Sequence, residues 1–359
     1  MNCRFRNQRL EFEKQIQKAI CYGQTFGCIV TDGMPSAAQD NHVLPKSHLN
    51  PTGLVKLEKL QTHVFGVYFF ARELVCFLDF GQFPHNTNYN IMSIVNVSDV
   101  RSEGDSAKVP PCAGNLLDNT NSQNKNVILF SFCAFLVQAK VFEEVTVGFL
   151  LKGHTHCIID QVFSCILVKI DGASRGVLTV EQLEELVESS WKKVEGDTEI
   201  VPQVRYMTHL YNFREWLAPV ESGLHYLRHY HQFRFYRADD GTCRMQYKEL
   251  AESQWRPDTV QVLSDLPEGR PKLEKPNPSR LNINDIRTTV AKARSLDLLL
   301  DSEVDQWTAR LDHLQMQGGD IPHEQFFAAP LDYLMGKAQE GDEPVASSAR
   351  LEETSDYPP

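Results

Sequence analysis

The sequence predicts an α/β fold: one mixed sheet flanked by helices, followed by a smaller C-terminal α+β region and an acidic tail. Three observations carry this expectation. Short apolar runs rich in β-branched residues alternate with longer segments of helical period between residues 26 and 170. The chain has 359 residues, enough for a core domain and a second, smaller unit. The charge is divided along the chain. There are 36 Lys+Arg against 47 Asp+Glu, but residues 296–359 hold 3 of the former and 14 of the latter, so the whole net charge of −11 sits there.

The elements follow in order. Residues 8–22 place Leu10, Phe12, Ile16, Ala19 and Ile20 at helical spacing. Phe26–Thr31 is a buried-strand run ended by Asp32-Gly33, and residues 35–58 are polar, with Pro and Gly, as in a loop. Thr62–Phe70 and Leu74–Phe80 form a hairpin. Asn88–Val100 reads as a helix, 101–113 as a loop, and Asn115–Leu117 as a short strand entering Asp118-Asn119. Asn126–Phe142 is a long apolar segment, expected to be a buried helix. Glu144–Leu151 is a strand leading into Gly153-His-Thr-His156, and Ile159–Ile170 is a helix.

From residue 178 the pattern changes. Thr179-Val-Glu-Gln182 is a capping-box signature before an apolar stripe. Helical segments are expected at 208–217 and 220–231, then a hairpin around Asp240-Gly241. The resulting division is 1–24 (N-terminal helix), 25–177 (core), 178–266 (α+β region), 267–337 (linker and two helical patterns) and 338–359 (disordered tail).

Composition narrows the setting. Hydrophobic residues are 42% and charged residues 23%, as in ordinary globular proteins. The nine cysteines contain no C-x-x-C pair, which suggests a reducing compartment. The N-terminus is too charged for a secretory signal, and no apolar run approaches the roughly 20 residues needed to span a bilayer. The expectation is an intracellular protein, nuclear or cytoplasmic, neither secreted nor embedded in a membrane. With the acidic excess confined to the tail, residues 1–295 are neutral, and net charge does not forbid a nucleic-acid partner.

Three carboxylates fall at special points. Asp32 ends the first strand, Asp118 ends the strand after the first core helix, and Asp160 opens the helix after the last core strand. If the central strands are parallel, these ends converge on one sheet edge. Clustered carboxylates repel unless a hard cation neutralises them, and Mg²⁺ or Mn²⁺ is the expected cofactor. Such ions can activate water against a phosphodiester, with DNA as the expected partner. The residue types and element order agree with an RNase H-like nuclease or transposase core.

The stretches Asp32-Gly33-Met34, Asp118-Asn119 with Asn124-Lys125-Asn126, and Gly153-His-Thr-His156 through Ile159-Asp160 to Phe163-Ser164 carry a resemblance. They resemble an uncharacterised eukaryotic family found in transposon-like genes, with the pattern DGM, DN…NKN and GHTHxxID…FS. The resemblance covers about residues 25–270. It implies a transposase-like origin and an RNase H-like fold, with Asp32, Asp118 and Asp160 at the three acidic positions. The chain departs from the pattern at Pro35-Ser36 and at Gln123.

Plainer roles exist for the same residues. Asp32 could be turn chemistry, Asp118 a helix cap and Asp160 an acid favoured by the helix dipole. Asp79, the competitor for first acid, is expected to be an exposed sheet residue. Asn119, Lys125, His154 and His156 are candidates for second-layer or substrate-phosphate contacts. His154, His156 and Asp160 together would serve a small-substrate metallohydrolase, an alternative function. A third reading is an inactive, domesticated remnant that binds nucleic acid or protein. A two-residue turn at Asp240-Gly241 would put Arg237, Arg244 and Lys248 on one face with Phe233 and Phe235, as in a nucleic-acid surface.

Overall fold

The computed structural model describes residues 3–23, 25–34, 60–97, 112–117, 125–149, 157–222 and 229–316. It is a mixed α/β structure, centred on a nine-stranded sheet. The first strand, β1 (Phe26–Gly33), is apolar through its first five residues, and these and Thr31 are all buried. Buried on both faces, it lies in the middle of the sheet, as such a run requires. β2 (His63–Phe69) pairs antiparallel with β1 and β3 (Glu73–Asp79) antiparallel with β2, while β4 (Cys112–Leu117) pairs parallel with β1 on the other side and β5 (Glu144–Phe149) parallel with β4.

The later strands do not form a separate sheet. β6 (Lys193–Glu195) and β7 (Thr198–Ile200) make a small hairpin. β8 (Pro202–Tyr206) then joins the outer edge of β3 in parallel. β9 (Leu210–Tyr211) precedes β10 (Gln232–Arg237), which extends the opposite edge from β5, followed by β11 (Cys243–Lys248) and β12 (Val260–Gln261). The full order is β12-β11-β10-β5-β4-β1-β2-β3-β8. The sheet therefore runs across the expected boundary at residue 178. The change in sequence character there marks a change from central to edge strands.

Helices cover both faces. On one face lie α2 (Thr87–Val97) and α3 (Val127–Gln138), later joined by the short α6 (Phe213–Leu217). Residues 128–137 of α3 are all buried, the pattern of a helix enclosed on every side rather than half-exposed. Phe130 of α3 meets Phe233 of β10 at 4.6 Å between ring centroids, and each buried Phe contributes about 1.5–3 kcal/mol. On the other face lie α1 (Cys3–Cys21), α4 (Ile158–Gly172) and α5 (Val180–Glu188). The C-terminal pair α7 (Ile283–Ser295) and α8 (Asp301–Met316) joins this layer, with Trp307 buried and donating to the Leu178 carbonyl at 2.8 Å.

One helical expectation is met only in part, and a second falls largely outside the described residues. In 208–217 the chain first makes β9, which pairs with β13 (Leu273–Glu274), and only Phe213–Leu217 is helical. In 220–231, Glu221 makes a bridge to Leu263, residues 223–228 lie outside the described set, and His231 leads into β10. Pairing of Tyr211 with Leu273 overrides the local helical pattern in the first of these segments. The tail, 338–359, lies outside the described residues. Among the described residues, no helix is long and apolar enough to cross a membrane.

The hairpin at 231–250 forms, but in a different register. Arg237 pairs with Cys243, and Ala238 N–H bonds the Thr242 carbonyl, leaving a three-residue turn with Gly241 at φ +81°. One extra turn residue flips one strand relative to the other. Arg237 thus shares a face with Phe233 and Phe235, while Arg244 and Lys248 point to the opposite one. Phe233 and Phe235 are fully buried core residues, not an aromatic surface. Arg244 pairs with Asp240 at 2.9 Å, Arg237 Nε reaches the Val137 carbonyl at 3.4 Å, and Lys248 Nζ donates to the Ala251 carbonyl at 2.6 Å.

Candidate metal centre

Asp32 is the penultimate residue of β1 and faces the α4 side, in the same alternation as Cys28 and Val30. Its backbone partner across the sheet is Gly66 of β2. A Cβ built on Gly66 would stand 3.1 Å from both Ile159 Cγ2 and Phe163 Cζ. The missing side chain at Gly66 therefore lets the first turns of α4 settle directly on the sheet beside Asp32. Asp160 lies in the first turn of α4, where the dipole favours an acid. Cys157 is the N-cap, and its N–H donates to Asp160 Oδ2 at 2.7 Å. Asp32 Oδ1 accepts the Gly33 N–H at 2.8 Å, which fixes that carboxylate in turn.

These constraints bring together residues far apart in sequence. One carboxylate oxygen of Asp32, one of Asp160 and the Cys157 sulfur all lie within 4.8 Å of one another. Asp32 and Asp160 are half-buried and Cys157 is buried. Burial, with lesser contributions from Asp160 and Asp32, pushes the Cys157 thiol up to about 12. At neutral pH it is a protonated thiol beside two carboxylates. The donors are then hard oxygens, which suit a hard divalent cation such as Mg²⁺ or Mn²⁺ better than a thiophilic one.

Cys157 was not anticipated as part of this cluster. Its signal was the capping spacing, an N-cap three residues before an acid. Asp118 and Asn119 follow β4 in sequence, and both lie outside the described residues, as do His154 and His156. The described end of β4 is Leu117, paired with Thr31 immediately before Asp32. Lys125 is buried, with its ammonium 5.4 Å from the Phe149 ring centroid. Asn126 caps α3, its side chain accepting from Ile128 and Leu129.

Asp79 overturns its expectation. It is fully buried, not an exposed sheet residue. It ends β3 on the face opposite Asp32, the face covered by α2, and Tyr89 from α2 donates to its Oδ2 at 2.8 Å. A strand-end carboxylate is exposed only if nothing packs over it, and here a helix from later in the chain does. It belongs to a second cluster, with His63 and His85.

A protein-family model described as a domain of unknown function (DUF7869) matches residues 53–253, more than half of the chain. The matched span includes Asp160 and all of the His63–Asp79–His85 cluster, and begins after Asp32. Neither the curated proteins nor the solved structures give a match.

Proposed function

We propose, from the premise that the chain belongs to the DUF7869 family of domains of unknown function, that it is a transposon-derived, RNase H-like, divalent-metal-dependent nuclease or polynucleotidyl transferase acting on DNA. The observation that carries this reading is the convergence of Asp32 and Asp160, 128 positions apart, on one strand end. The strand order β3-β2-β1-β4-β5, antiparallel on one side of β1 and parallel on the other, supports an RNase H-like core. So does the placement of one acid at the end of β1 and another in the first turn of the helix after β5.

In this reading Asp32 and Asp160 hold the ion, and Asp118, assigned from the sequence, completes the set. Mg²⁺ or Mn²⁺ would supply an activated water and charge neutralisation at the phosphodiester. The residues' own part is orientation. The Gly33 N–H holds one carboxylate, the Cys157 N–H holds the other, and Gly66 sets their separation. Cys157 contributes its backbone N–H to Asp160 and is given no nucleophilic role.

The test is a plasmid-nicking assay with the full chain in Mg²⁺ or Mn²⁺, comparing wild type with Asp32→Asn and Asp160→Asn. Metal-dependent nicking lost in both variants supports the reading. Equal nicking in wild type and variants, or none in any of them, would sink it.

A further inference from the structure

The second cluster lies on the same strand-end edge as Asp32 but on the opposite face of the sheet. His63 opens β2 and Asp79 ends β3, and the two are direct cross-strand partners. His85 comes from the turn that leads into α2. One candidate ligand atom from each of the three lies within 4.8 Å of the others. Asp79 is fully buried, His63 is half-buried and His85 is exposed.

The carboxylate of Asp79 is oriented by three donors. Gly81 N–H reaches Oδ1 at 2.8 Å, while Tyr89 Oη and His85 Nε2 reach Oδ2 at 2.8 and 2.7 Å. The His63 and His85 rings meet edge to face, 4.5 Å between centroids. The two rings therefore present their nitrogens to one small volume beside the Asp79 carboxylate. A neutral imidazole is the ligand form. Both histidines, with Gly81, also line a cleft of about 420 Å³ whose other walls include Phe83 and, from the C-terminal layer, Ile286. The buried acid stands behind the histidines, and the histidines face the cleft.

We propose that His63, Asp79 and His85 bind one Zn²⁺-class ion, with its remaining coordination position open to this cleft. Two nitrogens and one carboxylate are the donor set of open zinc sites, and nitrogen donors select against Mg²⁺ and Ca²⁺. This site is chemically distinct from the oxygen-rich centre at Asp32 and Asp160. The ion takes the place of the His85 Nε2–Asp79 Oδ2 hydrogen bond. Zinc–ligand bonds of about 2.0–2.1 Å put two tetrahedral ligands about 3.3 Å apart, so that pair opens by about half an ångström on binding. Tyr89 and Gly81 keep the carboxylate oriented, as the outer partners of metal ligands do.

The experiment titrates the metal-stripped full chain with Zn²⁺ against a chromophoric chelator, and separately with Co²⁺ as a spectroscopic probe. The wild type is expected to take one equivalent. His63→Gln and His85→Gln should each lower the affinity by at least about 100-fold, while Asp160→Asn leaves it unchanged. Urea unfolding of each variant checks that it is folded. On the wild type alone, the Co²⁺ spectrum should lack thiolate charge-transfer bands. No uptake by the wild type, uptake that survives both histidine substitutions, or a thiolate band from the chain's cysteines would each overturn the assignment.

Discussion

Replacing Asp32 by Asn should stabilise the metal-free protein and destabilise the metal-bound one. Carboxylate oxygens of Asp32 and Asp160 lie within 4.8 Å of each other. Two unit charges at that distance repel by about 3.5 kcal/mol at an effective dielectric constant near 20. Both groups are half-buried, so solvent screening leaves about 1–2 kcal/mol of repulsion in the folded state. Asn keeps an oxygen to accept the Gly33 N–H, so the local turn survives. In EDTA, Asp32→Asn should therefore unfold at higher urea, with an unchanged slope, by about 1–2 kcal/mol. Millimolar Mg²⁺ should reverse the order. The wild type gains RT ln(1 + [L]/Kd), about 2.7 kcal/mol at a hundred times Kd, which exceeds the repulsion, and the variant gains little. Tryptophan fluorescence across a urea titration reads both. If Asp32→Asn is less stable than wild type in EDTA and Mg²⁺ moves neither protein, the two carboxylates do not form a cation site.

Other expectations follow from single positions. Gly66→Val places branched carbon where a Cβ would already stand 3.1 Å from Ile159 and Phe163, so a loss of about 2–3 kcal/mol is expected, with weaker Mn²⁺ binding as α4 lifts from the sheet; wild-type stability and Mn²⁺ affinity would remove Gly66 from its positioning role. Glu195 is buried and accepts from Tyr68 Oη, Ala71 N and Lys193 Nζ at 3.0, 2.9 and 2.7 Å, tying the β6–β7 hairpin to the β2–β3 turn. Glu195→Ala leaves the Tyr68 and Ala71 donors without their acceptor, while the exposed Lys193 ammonium turns to water, and should cost about 2–3 kcal/mol in urea unfolding. Burial, reinforced by the Lys125 charge, lowers the pKa of His231. On acidification the unfolded chain takes that proton first, so the contribution is intact above about pH 6.5 and is lost as pH falls through the lowered value. His231→Gln should flatten the fall in thermal midpoint between about pH 7 and 5; an unchanged acid limb would count against the argument.

Much of the central fold was legible along the chain. The runs at Phe26–Thr31, Thr62–Phe80 and Glu144–Leu151 and the helices after them carry their periods locally, and each formed within a few residues of its expected bounds. The edges were not legible. β8 and β12 are short and partly exposed, and their pairing comes from sheet edges supplied by other segments, so no strong local pattern marks them. The hairpin at Asp240-Gly241 was visible as a turn, but its register depended on one residue of turn length, which decided the faces of Arg244 and Lys248.

The candidate centre divides along the same line. Asp32 and Asp160 could be named from strand end and helix start, because those positions are properties of local chain geometry. That they meet depends on Gly66, a residue with no side chain to signal its part, which admits α4 against the sheet. Asp79 shows the limit most clearly. By itself the sequence determined that Asp79 ends a strand. The later α2, which brings Tyr89 and follows the turn carrying His85, decided that this carboxylate is buried and joined to two histidines. Local periodicity records which way a residue faces; burial and partnership depend on what packs over it, and only the tertiary structure decides that.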